Sequence, residues 1–204
     1  MRWALAALAL VVIALVATQI ILPRMGESQV EDRLTRDGGT ATVEIEAVPA
    51  VRLLFDDGDM ISVRAQEVVI PLTDLRGGSF KELDGFDEVN VRLALTRLGP
   101  FFAESVSITR GEGDDLYAFS YRGSTSAADV GNFTLAGLPP LLRSALTSLA
   151  GRAGSQELPI RLDVNLRSEN GRARVVGGTG TFAGLPLGGF ALGIAGAIIA
   201  RITG

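Results

Sequence analysis

Few side chains in this sequence have types and spacing that could do chemistry. Asp56-Asp57-Gly58-Asp59 groups three carboxylates, and Ca²⁺ is bound by about six to eight such oxygens. The loop length and closing Glu of an EF-hand are missing, so the run reads as a polar turn between strands. Asp84, Asp87 and Glu88 offer the paired carboxyls that glycoside hydrolysis needs on either side of a sugar. They crowd together where a strand begins, with no aromatic platform beside them. Glu112, Asp114 and Asp115 belong to a glycine-containing turn. Gly177-Gly178-Thr179-Gly180 has the look of a phosphate-cradling loop but lacks the following Lys-Ser/Thr and the G-x-G-x-x-G spacing. A strand that bends, or packs closely against another backbone, accounts for it better.

What is missing narrows the chemistry further. The chain has no His and no Cys. Ser-His-Asp hydrolysis, most zinc sites, thiol catalysis, Fe–S ligation and disulfides are thereby excluded. No catalytic residue, metal ligand or cofactor is expected, and the chain reads as a non-enzyme. The formal net charge of −4 suits nucleic acid poorly, because phosphate is held mainly through cationic contacts. All basic residues except Lys81 are Arg, a composition typical of GC-rich bacterial genomes.

The remaining candidate for function is apolar surface. Val51, Leu53, Leu54 and Phe55 follow Pro49 as one oily cluster, and Phe101-Phe102 follow Gly99-Pro100 as a second. A third lies in the helix expected over Pro139 to Leu149, with Leu138, Leu141, Leu142 and Leu146. Such residues usually fill a core. Alternatively they line a long groove, sheet on one side and helix on the other, that accepts acyl chains, since such ligands need apolar concavity with few polar groups.

Several elements must position these clusters. Trp3 to Leu22 is a run of 20 residues without a charge, long enough as a helix to cross a hydrocarbon core of roughly 30 Å. No A-x-A-like cleavage site interrupts it, which favours a retained signal-anchor over a cleaved signal peptide. Residues 1–24 are therefore expected to anchor the chain in the membrane, and 25–39 to form a short polar helix or stalk stopped by Gly38-Gly39. Residues 40–204 then form a single extracytoplasmic domain. Apolar and polar residues alternate from Ala41 to Ala47, Ile61 to Gln66, Glu88 to Leu95, Ser105 to Thr109, Tyr117 to Tyr121 and Leu158 to Arg167, the period of half-buried strands. Glu67 breaks the phase before Val68-Val69-Ile70, a bulge signal. Arg172 to Phe182 returns as a hairpin partner after Glu169-Asn170-Gly171. Leu187 to Ala200 is apolar all round, so a helix there must be buried by protein or lipid. The echo Ala136-Gly137-Leu138-Pro139 and Ala183-Gly184-Leu185-Pro186 reads as a shared way of starting a helix.

The stretch Val43 to Val68, VEIEAVPAVRLLFDDGDMISVRAQEV, resembles the LmeA-like family of bacterial envelope phospholipid-binding proteins. In that family an N-terminal apolar segment and a short helix precede a strand, a Pro-led apolar turn with a Leu-Leu-like pair, and a second strand. Here Val43 to Ala47, Pro49 to Phe55 and Ile61 to Ala65 hold those places. The resemblance covers residues 25 to about 185, and the Gly/Ala-rich end after Leu187 departs from it. It implies phospholipid as the partner, and an α+β fold with a curved antiparallel β-sheet wrapped around one or two apolar helices, as in tubular lipid-binding folds. It carries over no head-group residues. The expectation is a single-pass cell-membrane protein whose C-terminal domain binds acyl chains and supports envelope lipid or glycolipid maintenance. The alternative is a scaffolding envelope protein with a protein partner.

Overall fold

The computed structural model describes residues 2–71, 80–126, 129, 157–182 and 185–186, with side chains from Thr18 onward except those of Glu82, Phe182, Leu185 and Pro186. The period-two segments form one curved, open, mixed sheet. Its strands are β1 (Thr40–Glu46), β2 (Gly58–Gln66), β3 (Val69–Ile70), β4 (Phe86–Leu98), β5 (Phe101–Arg110), β6 (Leu116–Ser126), β7 (Glu157–Glu169), β8 (Arg172–Phe182) and β9 (Leu185–Pro186). They lie in the order β1-β2-β4-β5-β6-β7-β8-β9, with β3 beside β4. One apolar row shows how alternation specifies the register. Val43, Val63, Val91, Ile108, Phe119 and Val164 are successive partners across six strands, and all are buried. A slip of one residue in any strand would turn its member of that row outward.

The expected all-antiparallel sheet needs correction, because β2 and β3 pair with β4 in parallel. Gly58 of β2 stands opposite Phe86 of β4, so both strands start at the same end. β3 ends beside the far end of β4, Ile70 opposite Leu98, so the connection to Phe86 at the start of β4 is a crossover and not a tight turn. Such a crossover yields parallel pairing, whereas a tight hairpin yields antiparallel pairing.

Three neighbouring strands are interrupted at one level. Glu67 (φ 56°) between β2 and β3 and Leu95 (φ 49°) in β4 have left-handed backbones, and the β5–β6 register shifts between Ala103 and Ser105. Each interruption inserts one residue and reverses which parity faces inward. Val89, Val91 and Leu93 are buried on one side of it, Thr96 and Leu98 on the other. The phase break expected at Glu67 is thus present. The inward placement expected for Leu95 is not, since that side chain is 49% exposed.

Helix α1 spans Arg2–Thr35 without a break at Pro23, so the expected anchor and polar helix are continuous. Its C-terminal half is docked on the domain. Val30 and Leu34 are buried against β1, while Glu27 and Glu31 accept the backbone amides of Ile45 and Val43 at 3.0 and 2.9 Å. Among the described residues no helix is long and apolar enough to cross a membrane; the side chains of residues 1–17 lie outside them. Also outside are the expected helices of residues 139–149 and 187–200, and the first Ala-Gly-Leu-Pro copy. In the second copy, Leu185 and Pro186 pair with Phe182 and Thr181 as β9; Ala183, Gly184 and the residues after Pro186 lie outside the described residues.

Gly178 explains the glycine run in β8. Its φ is 115°, and a Cβ there would lie 2.3 Å from the Asp163 carbonyl oxygen of β7. The β7–β8 register shifts just before it, between Asn165 and Leu166, so the strand both bends and packs tightly, as glycine permits.

Candidate functional site

The Pro-led segment folds as a 3-10 turn, Ala50–Phe55, closed by Asp56 in a left-handed conformation. Its short period splits the apolar cluster. Ala50 is buried and Leu53 half-buried, whereas Val51, Leu54 and Phe55 are 41, 64 and 77% exposed. Gln19 of α1 clasps the turn from the side, its Nε2 donating to Ala47 O and its Oε1 accepting from Ala50 N, both at 2.7 Å.

Below the turn an ionic clasp holds the chain in place. The Arg52 guanidinium donates twice to the Asp57 carboxylate at 2.8 Å and also to Asp59, and Asp87 stands 3.9 Å away. Asp59 in turn accepts the Val48 amide at 2.7 Å. The Arg52 hydrogen bonds hold the Asp57 carboxyl below the usual carboxylate range and raise the guanidinium above its ordinary value. The Asp-rich segment is therefore an intramolecular counter-ion for Arg52, not the plain polar turn expected from its residue types.

Between α1 and this turn lies a groove of about 340 Å³. Leu22, Met25 and Val30 form one wall, Leu53 and Leu54 another, and Ile45, Ile61 and Phe86 the floor. Gln29, Arg33 and Asp56 supply its polar groups. The floor is fixed by a close approach of backbone: a Cβ on Gly85 would lie 1.7 Å from Asp56 O, and Gly58 N donates to Gly85 O at 3.1 Å.

A second polar knot lies beside the groove floor. Tyr117 OH donates to Asp84 Oδ1 at 2.8 Å and accepts from Arg110 Nη1 at 2.7 Å. Ser168 Oγ donates to Asp84 Oδ2 at 2.6 Å. Arg110 also reaches the carbonyls of Leu83 and Phe86, and Phe80 meets the Tyr117 ring edge-on at 4.9 Å. Burial, with Asp84 next, pushes the Tyr117 phenol up and keeps it protonated. This knot joins helix α2 (Lys81–Asp84) to β5, β6 and β7. Asp84 is thereby committed inside while Asp87 and Glu88 are exposed, so the candidate carboxylate pair is not assembled. Glu112, Asp114 and Asp115 are exposed in the β5–β6 turn.

No known family, curated protein or solved structure matches this chain.

The expected lipid-binding residues separate into three groups. Leu53 and Leu54 line the groove, whereas Val51 and Phe55 are exposed and do not line it. Phe101 and Phe102 do not join them. Phe101 is buried and pairs with Leu98 at the opposite end of β4, a strand path of roughly 40 Å from Phe86 at about 3.3 Å per residue. Phe102 points to the other face, as successive strand residues must. Leu138, Leu141, Leu142 and Leu146 lie outside the described residues. Sequence reasoning missed Leu22, Met25, Ile45 and Phe86. Leu22 and Met25, three apart on one helix face, were the available signal, but nothing local says which strand they meet.

The outer face of the sheet holds a shallow concavity of about 550 Å³ near the line of interruptions. Arg64 and Arg92 are direct partners there, flanked by Thr42, Ser105 and Ser107. Among the described residues neither arginine has an acidic partner.

Proposed function

We propose that this chain is a membrane-anchored, extracytoplasmic, non-enzymatic protein that holds phospholipid acyl chains and supports lipid or glycolipid maintenance in a bacterial cell envelope. The observation that carries this reading is the groove between α1 and the 3-10 turn. Its walls are aliphatic, its few polar groups include Arg33 and Gln29, and its size lies at the low end of the roughly 300–1,000 Å³ typical of small-ligand sites. It opens at the end of the uncharged helical run, where a lipid would arrive. Membership of the LmeA-like family, and a sheet wrapped around apolar helices from residues 139–149 and 187–200, belong to the same proposal. The net charge of −4 argues against a nucleic-acid partner.

Native mass spectrometry of the intact chain released from nanodiscs tests this reading. Phospholipid is expected to stay bound, and Leu53→Gln is expected to lose it while remaining folded. A lipid-free wild-type chain would overturn the proposal.

A second reading, a scaffolding envelope protein that binds a protein partner, is favoured by one observation. Arg64 and Arg92 place two like charges side by side, an arrangement that destabilises a sheet and that an acidic partner would neutralise.

A further inference from the structure

Among the described residues, most of the exposed large apolar side chains are gathered around one end of the fold. Of the ten large apolar residues that are exposed among the described residues, seven fall within residues 20–55. Val48, Val51, Leu54 and Phe55 crown the 3-10 turn, and Ile20 and Ile21 lie on the neighbouring stretch of α1. Soluble monomers rarely expose so many large apolar groups together, and such patches mark protein or membrane contacts.

The path of α1 distinguishes between these. Going toward its N-terminus, Glu31 meets Val43, Glu27 meets Ile45, and Gln19 meets Ala47 and Ala50. The helix therefore runs antiparallel to β1 and continues past the 3-10 turn as the uncharged stretch that begins at Trp3. The turn stands level with the last residues of that stretch, Gln19 to Leu22, and exposed Arg24 follows one turn of helix later. If Trp3 to Leu22 fills a hydrocarbon core of roughly 30 Å, residues at the level of Ile20 and Ile21 lie at its boundary. Arg24 is then placed where a guanidinium reaches lipid phosphates.

We infer that the 3-10 turn, through Val48, Val51, Leu54 and Phe55, inserts into the boundary layer of the bilayer that receives α1. The two polar links from Gln19 fix the turn beside the helix, so anchoring brings the tip to the lipid at little further entropic cost. Insertion also sets the mouth of the groove, at Leu22, Met25 and Leu54, against acyl chains. A lipid can pass from leaflet to groove without crossing water. This inference rests on the anchor in the proposed function but not on the groove's being occupied.

The chain contains no Cys, so single-cysteine labelling is unambiguous. Phe55→Cys and, at the far end of β2, Gln66→Cys are each labelled with an environment-sensitive fluorophore. The full chain is then reconstituted into phosphatidylcholine vesicles with or without acyl-brominated lipid. The label at position 55 is expected to shift to the blue, to be quenched several-fold more by brominated chains than the label at 66, and to be shielded from aqueous iodide. Equal quenching at both positions overturns the inference. So does failure of the full chain to associate with vesicles, which removes the anchor as well. Phe55 and Val48 do not line the groove, so the outcomes separate. Lipid that co-purifies with a chain whose tip stays in water leaves the groove standing and removes insertion. An inserted tip on a lipid-free chain does the reverse.

Discussion

Glu31 Oε1 accepts the amide of Val43 at 2.9 Å, and Glu27, one helical turn earlier, does the same for Ile45 at 3.0 Å. Four residues of helix rise about 6 Å and two residues of strand about 6.8 Å, so the two carboxylates match alternate amides on the side of β1 that faces away from β2. An uncovered edge of this kind is a template for pairing with another chain. Glu27→Ala with Glu31→Ala is expected to lower stability by about 1–3 kcal/mol and to promote self-association. Glu31→Gln, which keeps an acceptor oxygen, should restore most of the loss. Denaturant titration with sedimentation velocity measures both effects.

Leu54 is 64% exposed on the lip of the groove, whereas Leu162 is fully buried in the β7 core row. Leu54→Gln should leave the melting curve nearly unchanged and weaken lipid retention. Leu162→Gln buries an unpartnered amide at a cost of roughly 1–3 kcal/mol beyond the lost packing, and should fold poorly. Comparing soluble yield, melting temperature and bound lipid separates the two roles.

The Asp57 carboxyl is held below its ordinary range by the hydrogen bonds from Arg52. A depressed folded-state value means that the folded chain favours the charged form. Its contribution to stability is fully present above the unfolded value of about 3.9 and is lost as pH falls through the folded value. Asp57→Asn is therefore expected to be less stable than the wild type near neutrality, and the two should converge in acid. Melting temperatures recorded across pH 2–7 check the sign; a gap that widened in acid would contradict it.

Tyr117→Phe removes one donor from Asp84 and one acceptor from Arg110 while keeping the ring contact with Phe80. A loss of about 1–3 kcal/mol is expected, or about 2–4 °C in Tm per kcal/mol for a chain of this size. Ser168→Ala should cost less, since Asp84 keeps Tyr117. Thermal unfolding followed by near-ultraviolet circular dichroism reports on both.

Two glycines provide a contrast in packing. Gly85→Ala forces a methyl onto Asp56 O and should destabilise by about 3 kcal/mol or more. It should also loosen the groove, because the same backbone contact holds the start of β2. At Gly177 a Cβ meets nothing within 4 Å, and Gly177→Ala should change stability by no more than about 0.5 kcal/mol. Chemical denaturation of the two variants is a direct comparison.

The strands were legible wherever side chains alternate cleanly, as from Leu158 to Leu166, because period two has one physical cause. The interruption at Glu67 was also legible, since a charged residue broke an apolar phase. Those at Leu95 and Glu104 were hidden. Leu93-Ala94-Leu95 simply continues the alternation, and the left-handed turn that exposes Leu95 leaves no trace in residue type. Parallel pairing of β2 with β4 could not be read, because it depends on where the chain travels between residues 71 and 85. The site was half legible. Pro49 to Phe55 was recognisable as an unusual apolar turn, but composition alone could not tell a side chain facing a groove from one facing solvent. Asp57 and Asp59 looked like plain turn residues because the cation they serve, Arg52, is brought back onto them by the local fold of the 3-10 turn, which residue type does not announce.

The aligned interruptions at Glu67, Leu95 and Glu104 bear on which length changes this chain can tolerate. Deleting any one of them would invert a neighbouring segment, sending Leu98, Ile70 or Val106 out and their polar neighbours in. Removing all three together would restore matched parity across the strands and give a straighter sheet. Single deletions there should therefore be lethal to the fold and the triple deletion partly forgiven, a sign-changing dependence between sites far apart in the chain. Relatives of this protein should accordingly gain or lose these residues as a set.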